Sequence, residues 1–115
     1  MFPQKERALK ATIAMVVKKG RTIGSNDLSL KYLEIKGAPA DQKNQYSFVA
    51  SSKVSKLAVI RNLLKRRGRH IIRKISHNIK TPYVCVFFFK PGAVKLDFES
   101  LEKEMLSLLA EARIL

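Results

Sequence analysis

A chain of 115 residues with 46% hydrophobic side chains and a formal net charge of +14 is long enough for one modest core and too apolar to be wholly disordered. Its single cysteine, Cys85, excludes an internal disulfide and fits a reducing, cytoplasmic setting; MFPQKER is charged at once, with no apolar signal core, and IAMVV and YVCVFFF fall far short of the ~20 residues of a membrane helix. The charge excess bears on partners rather than fold, and points to a polyanion: nucleic acid well ahead of an anionic membrane.

Residues 4–19 read as a helix, because Leu9, Ile13, Val16 and Val17 keep helical spacing and Gly20 after Lys18-Lys19 is a C-terminal stop. Residues 27–35 alternate, with Leu28, Leu30 and Tyr32 on one face and Ser29 and Lys31 on the other, as in a half-buried strand. KGAPADQKNQ, 36–45, is a polar loop. Tyr46 to Ser51 reads as a second strand, expected to pair antiparallel with the first across that loop. Residues 55–76 read as a helix with Ser55 as candidate N-cap. SHNIKTP connects it to YVCVFFF, 83–89, a continuous apolar run suited to a strand buried on both faces. Lys90-Pro91-Gly92 ends the strand. Asp97 caps a last helix with an acidic first turn, whose buried stripe is Phe98, Leu101, Met105, Leu108 and Ala112. The order α-β-β-α-β-α, without internal repeat, predicts a single α/β domain over residues 1–115, an α+β two-layer sandwich with helices on one side of a small sheet.

Charge is distributed unevenly. Between Asp41 and Asp97 there is no acid but there are thirteen cations, whereas five of the nine acids lie in the last nineteen residues. RNLLKRRGRHIIRK, 61–74, holds seven permanent cations and no acid. On a helix at ~100° per residue, Leu57, Ile60, Leu64, Gly68, Ile71 and Ile75 form a buried seam. Asn62, Arg66, Arg69 and Arg73 form a stripe opposite, flanked by Lys65 and Arg61. A solvated helix face interleaves Glu with Lys at i,i+4; here Lys65 meets Arg69 and Arg69 meets Arg73, and like pairs repel by ~0.2–0.5 kcal/mol each. A partner that neutralises the stripe offsets this repulsion, and arginine forks suit phosphates and base edges. Gly68 on the seam suggests close packing of the helix backbone on the sheet.

Helix-turn-helix, zinc-finger and basic-zipper patterns are lacking, which disfavours DNA. Aromatic residues on strands beside cations suit single-stranded RNA. His70, His77 and Cys85 fit no zinc spacing. No Ser-His-Asp or Cys-His constellation occurs, and the acid-free middle is unsuited to the clustered carboxylates of a protein-only, Mg²⁺-dependent nuclease.

Four stretches in order resemble the bacterial ribonuclease P protein component: FPQKERALKATIAMVVKKGR, a basic first helix ending at Lys-Lys-Gly; FVASSKVSKLAVIRN, a strand running into the signature helix; Lys65, Arg66 and Arg69, the signature's basic spacing; and YVCVFFFKPGAVKLDFESLEKEMLSLL, the last strand, its Lys-Pro-Gly-Ala turn and the closing helix. The chain departs at Leu63, where the signature usually has Arg, with Arg67 a candidate to serve a neighbouring position. It departs again at Ser52-Lys53, where the family has paired lysines, at Ile13 and Val17, where the first helix usually has aromatics, and at Lys31, where tyrosine is common.

The resemblance implies a small mixed sheet with a left-handed βαβ crossover. It implies a subunit of a ribonucleoprotein endonuclease whose RNA carries the chemistry, removing the 5′ leader from precursor tRNA with Mg²⁺ held through the RNA, and one protein bound per RNA. It implies that Arg61, Asn62, Lys65, Arg66, Arg67, Arg69 and Arg73 bind the catalytic RNA. Ile13, Val17, Lys31, Ser51, Lys53 and Lys90 would line the leader cleft, and Phe87 and Phe89, alternating onto one face, would either offer a stacking surface there or belong to the core. The alternative is a structural RNA-binding protein of ribosomal type.

Overall fold

Strand β4, Tyr83–Phe89, lies in the middle of the molecule, as its unbroken apolar run requires. The structure, a computed structural model, describes residues 10–35, 37, 43–80 and 82–115. In chain order it contains α1 (Lys10–Lys19), β1 (Arg21–Gly24), β2 (Leu28–Glu34), β3 (Gln45–Val49), α2 (Ala58–Ile75), β4 and α3 (Phe98–Glu111). Positions 4–9 of the expected first helix, and most of the loop expected over 36–45, lie outside the described residues. The sheet order is β1-β2-β4-β3.

Two expectations about the sheet are corrected. The first two strands read from the sequence do not pair with each other. Instead β4 sits between them, antiparallel to β2 and parallel to β3. A short strand, β1, joins the outer edge of β2, with Ile23 opposite Leu30. The helices also cover both faces rather than one. Leu28, Leu30, Tyr46, Phe48, Cys85, Phe87 and Phe89 face α2 and α3, whereas Val84 and Val86 meet Val16 of α1 on the other side. A strand apolar at every position needs cover on both faces, so the two-sided reading of YVCVFFF is the one that holds.

The β3–α2–β4 crossover is left-handed. Ile35 N–H donates to Pro82 O and Lys90 N–H to Asp27 O. In the β2–β4 register, Ser29, Lys31 and Leu33 therefore turn their peptide groups to β4 and their side chains to the α1 face. For L-residues this puts β4 to the right of an upward β2 seen from α1. Seen from α2, with β4 upward, β3 lies to the right of β4, and the chain crosses leftward. About 98% of such crossovers take the other hand.

Helix α2 starts later than expected. Ser55 Oγ accepts from Leu57 N–H at 3.2 Å, capping a turn, and the N-cap is Leu57 itself, with no side-chain cap bond. Leu57 is thus 62% exposed rather than part of the seam, which consists of Leu64, Gly68, Ile71, Ile72 and Ile75. At Gly68 an added Cβ would lie 2.6 Å from ring carbons of Phe48, so glycine lets α2 press against the sheet. Asp97 caps α3 as expected, its Oδ1 accepting from Ser100 N–H at 2.8 Å. That bond holds the Asp97 carboxyl below its ordinary range. Asn44, buried just before β3, donates to Tyr46 Oη and Lys80 O and accepts from Tyr83 N–H, which ties the starts of the parallel pair together.

Candidate nucleic-acid interface

The apolar seam of α2 faces the core, and this orients the charge. Asn62, Arg66 and Arg73 are exposed, and Lys65 and Arg69 are half-exposed beside them. Arg66, Arg69, His70 and Arg73 line a shallow hollow of about 230 Å³, open enough for a backbone segment and too small for a drug-sized ligand. His70 sits edge-on to Phe98 of α3, ring centroids 5.5 Å apart, which places this imidazole by packing.

Two of the cations expected to bind RNA also bond within the chain. Arg67 Nη1 donates to Leu96 O at 3.4 Å, towards the segment before α3. Arg61 Nη1 donates to Ser55 O at 2.8 Å, bracing the turn before α2 while its remaining donors stay available. Lys74 pairs with Glu102 of α3 at 3.2 Å. Glu102 of α3 thus neutralises one edge of α2, away from the arginine stripe.

A second surface lies on the other side of the sheet. Helix α1 packs on β2 and β4, and Gly20, just after it, passes so close to Tyr32 O (2.8 Å from an ideal Cβ) that a larger residue would push the chain off. Ile13 is half-buried there and Val17 is 46% exposed. Strand alternation brings Lys31, Val86 and Ser47 into one cross-strand row and Ser29, Phe88 and Val49 into the next. Lys31, Ser47, Val49 and Phe88 remain half-buried. Ser51 and Lys53 are exposed in the turn that leaves β3, where Ser51 Oγ accepts from Lys53 N–H.

Three residues expected in this cleft are elsewhere. Phe87 and Phe89 are 1% and 6% exposed and stack on Phe48 in the core, with centroids 5.6 and 6.4 Å away; they alternate onto one face as expected, but that face is covered by α2. Phe88, between them, is the aromatic on the α1 side, and the sequence reading missed it. The parity of the alternation against Leu28, Leu30 and Tyr32 would have found it once β2 and β4 were known to pair. Lys90 Nζ donates to Ser25 O at 2.7 Å, at the β1–β2 turn and near the Asp27–Glu104 carboxyl pair. There, burial and Asp27 push the Glu104 carboxyl up.

No three His, Cys, Asp or Glu side chains come together as a possible metal site among the described residues, and the Asp27–Glu104 pair has Lys90 beside it. This donor set does not fit a Mg²⁺ cage. Burial pushes the Cys85 thiol up to about 12, so it is an inert core residue. No described helix is long and apolar enough to cross a membrane.

A cation-striped helix on a left-handed β-α-β unit invites comparison with known proteins. The family model for ribonuclease P matches residues 2–113. The chain belongs to the ribonuclease P protein component family. A component from Microcystis aeruginosa is 32% identical over 84% of this chain and 80% of its own length. One from Pseudanabaena sp. is 33% identical over the whole chain and 97% of its own length. Among solved structures, a Staphylococcus aureus RNase P protein superposes with a TM-score of 0.85 at 18% identity, covering 96% of this chain and 90% of that one. The Thermotoga maritima protein gives 0.78 at 21% identity, over 90% and 94%; at such identities the likeness speaks for the fold. Ribonuclease P family membership makes this an RNA-binding, tRNA-processing protein that works in a ribonucleoprotein.

Proposed function

We propose that the protein docks the catalytic RNA of ribonuclease P on the exposed stripe of α2 and holds the 5′ leader of precursor tRNA on the α1 face of the sheet. The observation that carries this is the division of labour around α2: one edge neutralised by Glu102, the opposite edge rich in arginine and free of acid. Asn62, Lys65, Arg66, Arg69 and Arg73 bind RNA phosphates and base edges, with Arg61 at the helix start.

Lys31, Ser51 and Lys53 bind leader phosphates and sugars, and Phe88, with Ile13 and Val17, supplies apolar and stacking contact in place of Phe87 and Phe89. Bond cleavage belongs to the RNA, which also holds the Mg²⁺. The protein supplies positioning and screens phosphate repulsion, so lower Mg²⁺ suffices. One protein serves one RNA.

Reconstitution with a bacterial ribonuclease P RNA at low Mg²⁺ tests this. Cleavage should be stimulated more for precursor tRNA with a leader of several nucleotides than for one with a minimal leader. Tight RNA binding with no stimulation would refute the processing role and favour a purely structural RNA binder.

A further inference from the structure

The sheet face that α3 covers is left open at one end. Helix α3 stops at Ala112, and Arg113, at φ 62°, turns the chain back so that Ile114 O accepts from Lys80 N–H. Beyond that stop lies a hollow of about 350 Å³ whose walls include Lys19, Arg21, Tyr32, Glu34, Tyr83 and Ala112.

Strand register explains the grouping. Arg21 stands opposite Tyr32, and Glu34 opposite Tyr83, so these four side chains share one face of the sheet. Tyr32 and Tyr83 are diagonal neighbours, half-buried against the main core. Lys19, Arg21 and Glu34 are exposed around them. Among the described residues, neither cation is ion-paired with Glu34; the Tyr83 hydroxyl is its hydrogen-bond partner.

Three chemistries therefore meet in one hollow. Paired cations suit a phosphate, tyrosine rings suit the face of an unstacked base, and a carboxylate accepts from the N–H groups of a base edge. A cationic ligand would meet Lys19 and Arg21, and a purely anionic one would meet Glu34. The volume lies near the lower end of ligand pockets, about 300–1,000 Å³, and suits one nucleotide rather than a stacked pair.

We infer that this hollow takes a single unstacked nucleotide of an RNA partner, with its phosphate on Lys19 and Arg21, its base against Tyr32 and Tyr83, and its Watson–Crick edge on Glu34. Guanine presents two parallel N–H donors to the carboxylate and fits best; uracil presents one. The hollow shares no residue with the α2 stripe or with the leader contacts on the α1 face, so it stands or falls apart from them.

The chain has only three tyrosines, and the third, Tyr46, is 4% exposed in the core. NMR of tyrosine rings in the free protein, titrated with GMP and UMP, therefore reads the hollow directly. The Tyr32 and Tyr83 signals should shift with GMP and less with UMP, and Tyr46 should stay still. Arg21→Ala should bind GMP about three- to tenfold more weakly, and Glu34→Gln should bring GMP and UMP towards parity. Both residues are exposed, so both variants should melt at the native temperature, and Arg66→Ala should bind GMP as the native protein does. Bacterial ribonuclease P RNA and precursor tRNA, added in turn, distinguish the source: the one that releases bound GMP supplies the nucleotide. Tyrosine signals unmoved by GMP, or a response lost in Arg66→Ala and kept in Arg21→Ala, overturn the site and leave the α2 docking face standing. GMP binding that neither RNA displaces overturns the assignment to an RNA partner.

Discussion

The two faces of the sheet are made from alternate residues of the same strands, yet they do different work. Towards α2 and α3 lie Leu28, Leu30, Phe48, Phe87 and Phe89, all buried. Towards α1 lie Ser29, Lys31, Ser47, Val49 and Phe88, with only Val84 and Val86 fully covered. The first face is closed by two helices that meet each other; the second is half-covered by one. A strand apolar on both sides can thus stabilise the fold with one face and leave an aromatic available on the other.

The largest effect expected from this contrast is at Phe87. Phe87→Ala removes a side chain that is 1% exposed and stacked on Phe48, and should cost about 3–5 kcal/mol in urea unfolding, a large share of a small domain's stability. Phe88→Ala, one residue on, should leave the fold far less affected while weakening binding of leader-bearing precursor tRNA by about 1–3 kcal/mol for the base it stacks. Equal stability losses at the two positions would erase the distinction between the faces. Gly68→Ala should destabilise despite the ~1 kcal/mol gained in helix propensity, because the new methyl meets Phe48 and overpacking costs about 1–3 kcal/mol. Partial recovery in a double variant with Phe48→Leu would confirm the clash.

The smallest effect concerns pH. Glu104 Oε2 is buried without a donor, and burial, then Asp27, raises its carboxyl from 4.5; protonated, it can donate to Asp27. The folded state therefore holds this proton more tightly than the unfolded chain. Its contribution to stability is present below the ordinary value and is lost as pH rises through the raised one. Glu104→Gln should remove that decline, measured as urea midpoints from about pH 4 to about pH 8. An unchanged pH profile would mean that the carboxyl is solvated in the native state.

Much of the candidate interface could be read directly. The stripe Asn62, Arg66, Arg69, Arg73 and the seam Leu64, Gly68, Ile71, Ile75 follow from helical spacing alone, and both are where that spacing puts them. What spacing does not give is a side chain's destination where that depends on a distant segment: Arg67 gives one donor to Leu96 O, and Lys90 gives one to Ser25 O. Phe87 and Phe89 were correctly grouped on one face, and only the position of α2 shows that this face is closed. β1 was missed because four residues are too few for an alternation to stand out.

By itself the sequence determined the helices' apolar and charged faces, the two-sided burial of β4, the cap at Asp97 and the need for a polyanionic partner. All of these are local properties of spacing and charge. Only the tertiary structure decided that β3 pairs in parallel with β4, that the crossover is left-handed, and which of three consecutive phenylalanines faces outward. Backbone pairing is chemically the same for every strand, so partners and faces are chosen by how the whole set of apolar surfaces can be buried at once.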